Sequence, residues 1–252
     1  MTDLIEWHRP YFEPTDSKVN IFFVAYGKPP ENWNLSGSEY RVSGIPKGIE
    51  IQTYGPNVAP EALDQFREGY LWERLLKDKP SFSSKIFDEK EGLIIKGTLP
   101  DPQSLNYFRD LTGLIQWLFD CGIQGVFDPH AFLWWTPERW SEVFNKSEPA
   151  PHSHVMIFTS QENDRIWLHT RGMRKFGRPD ISIRNCPAEN VTDAGKLINR
   201  FIEIQALGAV IPEGKEIDVE GLPSGMECRH KGHLDDPDFN NVHFEIIWPS
   251  AN

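Results

Sequence analysis

Cysteine is scarce in this 252-residue chain, with Cys121, Cys186 and Cys228 as the three examples. An odd, widely spaced set does not read as a disulfide framework and points to a reducing compartment. Long apolar runs are missing too. No stretch approaches the ~18 uncharged apolar residues of a membrane span. The start, Met-Thr-Asp-Leu-Ile-Glu-Trp-His-Arg-Pro, has no cationic segment followed by an apolar core, so no signal peptide is expected. Positive charge is in short supply: 26 Lys and Arg stand against 37 Asp and Glu, a formal net charge of −11. Binding to nucleic acid needs a basic face and is disfavoured. The expectation is a cytoplasmic protein with no membrane or nucleic-acid partner. Enzyme signatures are absent as well. There is no Gly-x-Ser-x-Gly elbow, no phosphate-loop Gly-Lys-Ser/Thr and no dinucleotide Gly-x-Gly-x-x-Gly. No cofactor is expected.

Aromatics, by contrast, are plentiful, with nine Trp and 16 Phe. They imply large buried clusters or an exposed surface built for a partner. Lys18–Tyr26 reads as a buried strand, rich in β-branched and aromatic residues. Tyr40–Ser43 and Ile49–Tyr54 read as a hairpin. Leu63, Phe66, Tyr70, Leu71 and Leu75 keep helical spacing, and residues 78–91 read as polar and exposed. Leu93–Thr98 is a strand. A helix follows Pro100 with a wide apolar stripe from Leu105 to Phe119, and Thr136-Pro137-Glu138 opens another. Strands at Val155–Thr159, Ile166–His169, Asp180–Arg184 and Val242–Trp248 surround a helix at Thr192–Leu207. Irregular interleaving of this kind predicts an α+β fold, with mixed or mostly antiparallel sheets packed with three or four helices. The weak boundary at Leu99–Pro102 suggests parts at 1–98 and 99–252, or one compact unit.

One stretch stands out. Leu168–Asp180 carries Arg171, Arg174, Lys175 and Arg178 before its first acid, and Gly172, Gly177 and Pro179 make it a shaped loop between strands. Six basic residues face one acid from Arg165 to Arg184. From Glu213 to Glu245 there are nine acids against three basic residues. Two readings stay open: the segments neutralise each other within the fold, or the arginines clamp an anion while the acidic tail meets a basic partner.

Other constellations are weaker. Cys228, His230 and His233 lie within six residues, and His152 or His154 could complete a tetrahedral zinc set. The spacing matches no zinc-finger or zincin pattern, and no metal is assigned. His152 and His154, placed on a strand, would face one side. Asp128-Pro129-His130 ends a short buried strand and reads first as a turn. Trp134, Trp135 and Trp140 read as packing.

The run Trp167-Leu-His-Thr-Arg-Gly-Met-Arg-Lys-Phe-Gly-Arg-Pro-Asp-Ile-Ser-Ile resembles the signature of a bacterial family of unknown function, Thr-x-Gly-Met-x-x-Phe-Gly-Arg/Lys-Pro-Asp/Glu. The likeness extends over roughly residues 100–220, through Gly125-Val-Phe-Asp-Pro-His, Thr-Pro-Glu-Arg-Trp and Gly214–Ile217. The chain also looks like immunity proteins encoded beside secreted bacterial toxins, including those of type VI secretion. What that resemblance implies is a non-enzymatic inhibitor of a basic toxin such as a nuclease, held by charge complementarity. The contact residues expected are Asp235, Asp236, Asp238, Glu227 and Glu220, with Arg171, Arg174 and Arg178 as a second patch. The alternative is a small hydrolase whose anionic substrate is held by Arg171, Arg174 and Arg178, with His130, His169 or His154 moving the proton.

Overall fold

The computed structural model describes residues 4–59 and 61–249 and has an α+β fold. The chain divides into two compact units, each made of separate segments. Of the described residues, the first holds 4–7, 21–59, 61–99 and 104–149; the second holds 8–20, 100–103 and 150–249. The division therefore does not fall at residues 98–99. Residues 104–149 stay with the first unit because their strands join its sheet.

That unit contains β1 (Lys18–Tyr26, from Ile21 onward), α1 (Gly37–Tyr40), β2 (Ile49–Tyr54), α2 (Glu61–Asp64), α3 (Gly69–Asp78), α4 (Pro80–Asp88), β3 (Gly92–Pro100), α5 (Asn106–Asp120), β4 (Gly125–Asp128), β5 (Leu133–Trp135) and α6 (Pro137–Phe144). Its sheet runs β2-β3-β1-β4-β5. Central β1 is apolar at both parities because helices cover both faces. On one side Val24 and Tyr26 pack with Leu63, Trp72, Leu75 and Ile86 from α2–α4, and Phe127 stacks on Trp134 at 4.6 Å. On the other side Phe23 meets Trp140 of α6 edge-on, and the Trp140 indole donates to the Thr112 carbonyl of α5 at 3.0 Å. A Cβ at Gly113 would lie 2.0 Å from the Tyr40 carbonyl, so that close approach needs glycine.

Three expectations are corrected here. The stripe from Leu63 to Leu75 is two helices, broken before Gly69 (φ 74), where Arg67 turns to donate to the carbonyls of Ile86, Phe87 and Glu89. Those bonds cap α4, so part of the polar run 78–91 is helical, with Ile86 fully buried. The expected hairpin is absent. Ser36 caps α1, Arg41 takes a left-handed conformation after it, and β2 pairs with β3 instead.

The second unit contains α7 (Pro151–His154), β6 (Met156–Glu162), β7 (Arg165–Arg171), β8 (Asp180–Cys186), α8 (Val191–Ala206), β9 (Glu216–Ile217), β10 (Met226–Lys231) and β11 (His243–Ile247). The sheet order is β6-β7-β8-β11-β10-β9, antiparallel except for the β8–β11 pair. Leu197, Ile198, Phe201 and Ile202 of α8 are buried, and Phe201 meets Phe244 edge-on at 5.4 Å. Leu168, Ile181, Ile183 and Ile246 are buried with them. His152 and His154 sit on α7, not on a strand. No helix among the described residues is long and apolar enough to cross a membrane.

Candidate functional site

The loop after β7 folds around one carboxylate. Asp180 is fully buried. Its Oδ1 accepts from the Thr170 hydroxyl at 2.8 Å and the Met173 amide at 3.3 Å, and its Oδ2 accepts from the Asn241 amide at 2.9 Å. The Thr170 oxygen also accepts from the Ile181 amide at 2.8 Å. Burial pushes the Asp180 carboxyl up to about 6, against these donors and the nearby Arg171 charge. A 3-10 turn, Met173–Phe176, carries Met173 and Phe176 into the core, and Gly177 (φ 64) closes it. Thr170, Met173, Phe176 and Asp180 of the signature are thus anchors that shape the loop.

The three arginines of that loop do not form an open clamp. Arg178 is 3% exposed. Its guanidinium donates to Asp101 at 2.8 Å and to the carbonyls of Glu13, Gly177, Gly208 and Ala209. Arg9 donates to the other Asp101 oxygen at 2.7 Å, giving a buried Arg–Asp–Arg cluster within the second unit. Sequence carried no sign of it, since its members are 92 and 77 positions apart. Arg171 is 4% exposed and donates to the carbonyls of Asp238 and Pro237. Arg174 Nη1 donates to the Asn240 carbonyl at 2.8 Å, its side-chain oxygen at 3.0 Å and the Leu234 carbonyl at 3.5 Å.

Both open readings of the charged segments are therefore partly answered. The arginines do reach the acidic tail, but the bonds of Arg171 and Arg174 go to its backbone carbonyls and to the Asn240 side chain. Asp235 and Asp238 are exposed, and no ion pair among the described residues engages them. Asp236 also shapes the turn. Its Oδ1 accepts from the amides of Asp238 (2.9 Å) and Phe239 (3.3 Å), and its carbonyl accepts from Asn240. The segment 232–241 is therefore a fixed turn with outward carboxylates and with Leu234 half exposed at its tip. Glu220 is exposed, whereas Glu227 is paired with Arg229 at 2.6 Å.

Behind this turn the sheet face away from α8 carries a stack that sequence reading missed. Arg184 lies 3.9 Å over Trp167, Trp167 stacks on His169 at 4.0 Å, and Phe239 stacks on His243 at 3.9 Å. Phe239 also meets His169 edge-on. The period-two pattern Arg165, Trp167, His169, Arg171 was the available signal. Burial lowers the His169 imidazole to about 4; Arg171, Arg184 and His243 add to this, and Asp238 opposes it. His243 is lowered too, mainly by burial. Neutral rings suit a stacked face. Ser182, cross-strand from His169, is 1% exposed and accepts from the Trp167 indole, so it is not presented as a nucleophile.

The remaining candidates are dispersed. His130 lies in the first unit behind the Asp128 turn, whose Oδ1 accepts from the backbone amides of His130 and Ala131. His154 is buried, and its carbonyl accepts from the buried Lys175 ammonium at 2.7 Å. Burial pushes the Cys228 thiol up to about 12, the His230 ring bonds the Ile211 carbonyl, and His233 is exposed. Among the described residues no three His, Cys, Asp or Glu side chains are grouped to hold a metal. Comparison with protein-family models, curated proteins and solved structures finds no match, and the site is read from its own geometry.

Proposed function

We propose that the chain is a binding protein that neutralises a basic partner, with the 232–241 turn as its contact surface. One observation carries the reading: Arg171 and Arg174 hold the turn by its carbonyls, while the Asp235 and Asp238 carboxylates stay exposed, with no ion pair among the described residues. A pre-organised turn loses little conformational freedom on binding, and a net charge of −11 draws a basic partner over long range. An immunity protein against a secreted toxin with a basic face, such as a nuclease, fits this chemistry and the resemblance of the 167–183 run. Three free cysteines, two of them buried, suit the cytoplasm. Glu220 extends the acidic surface.

The test is affinity capture from a lysate of the encoding organism, with wild type and the D235K/D238K variant side by side. One stoichiometric basic protein, lost from the variant and as salt rises, supports the reading. Equal capture by both forms at every salt concentration sinks it.

A further inference from the structure

A cavity of about 330 Å³ in the second unit is lined by Ser17, Lys18, Asn20, Arg174, Leu234 and Asn241, among others. The charged groups that line it are all basic. Arg178, in its wall, is buried and shares the Asp101 carboxylate with Arg9. Arg174 and Lys18 are not neutralised by any acid among the described residues. All acceptors of Arg174 Nη1 are uncharged, and its Nε is buried with no acceptor. The Lys18 ammonium has no hydrogen bond or ion pair among the described residues. Two cations without an acid partner beside one cavity, Lys18 exposed and Arg174 half-buried, match the charge pattern that receives an oxyanion.

We infer that this cavity binds a small oxyanion, carboxylate or phosphate, between the Lys18 ammonium and the Arg174 guanidinium. The inference does not need the partner reading: Leu234 and Asn241 of the 232–241 turn line the cavity, but the cations that would hold the anion, Lys18 and Arg174, lie outside the turn. It also differs from a three-arginine clamp: Arg171 and Arg178 shape the surroundings, and Lys18, from a distant part of the sequence, replaces them.

The experiment follows the thermal midpoint of the full chain during titration with sodium phosphate, sodium succinate or sodium chloride at matched ionic strength. A saturable rise with phosphate or succinate that chloride does not produce is expected, and the anion that gives it identifies the class. Lys18→Gln changes an exposed side chain and should fold; it should weaken the effect roughly tenfold, the loss of one charge-assisted contact. Lys196→Gln, which removes an exposed lysine of α8, should leave the effect intact. Equal responses to all three salts, or full retention in Lys18→Gln, would overturn the site.

Discussion

Two segments of the second unit carry opposite charge and meet opposite fates. The arginine-rich loop at 168–180 turns its cations inward, where Arg171 and Arg178 are 4% and 3% exposed. The acidic turn at 232–241 displays Asp235 and Asp238. The difference follows from what each side chain offers. A guanidinium has five donors in a fixed fork and can satisfy carbonyls that no helix or strand has paired. A carboxylate only accepts, and finds few spare donors in a folded interior. Arginines are therefore used to build an irregular loop pair, and the carboxylates of Asp235 and Asp238 remain outside, where the proposed partner would meet them.

Removing the cation that the loop uses most should have the largest effect. Arg178→Ala removes one of the two arginines on Asp101 and a donor to each of four carbonyls, and is expected to cost about 3–5 kcal/mol in urea unfolding. Arg178→Lys should recover little, because an ammonium cannot replace the fork. Next comes Asp180→Asn, which turns an amide donor toward Thr170, Met173 or Asn241. A loss of about 1–3 kcal/mol is expected from the same measurement.

A pH series separates the half-buried His169 from the buried Asp180, whose contributions change with pH in opposite senses. The folded His169 value of about 4 lies below its ordinary ~6.5, so the unfolded chain takes the proton first. Stability from this group is present above pH ~6.5 and is lost as pH falls toward 4. With partial solvent screening, the loss is on the order of 1–2 kcal/mol. Asp180 works the other way. Its value is raised to about 6, so its contribution is fully present below its ordinary ~3.9 and is lost as pH rises through 6. Unfolding free energy of His169→Phe between pH 4 and 6.5 should therefore rise less with pH than that of wild type. The smallest effect belongs to the display side: D235K/D238K should change stability by no more than ~0.5 kcal/mol.

Much of the fold was legible. The Lys18–Tyr26 strand, the Thr136 cap, the 192–207 helix and the arginine loop between two strands follow from local patterns that the structure keeps. The hairpin at 40–54 was misread because β2 finds its partner across the sequence at β3, which no local signal encodes. Helix α4 was missed because Arg67, distant in sequence, caps a weak apolar stripe. In the site, the acidic residues were visible as charge. The roles of Arg171, Arg174 and Arg178 were not, since carbonyl acceptors leave no trace in the sequence. Asp236 was grouped with its neighbours, yet only geometry separates a turn-former from a displayed carboxylate.

Whether the arginines hold the acidic turn while its carboxylates make the contact is decided by one capture experiment. Wild type, D235K/D238K and Lys196→Gln are compared under one salt condition, with unfolding midpoints measured alongside. The expected result is capture by wild type and Lys196→Gln, none by D235K/D238K, and midpoints that agree for all three. A captured partner retained by D235K/D238K at wild-type affinity would contradict the proposal.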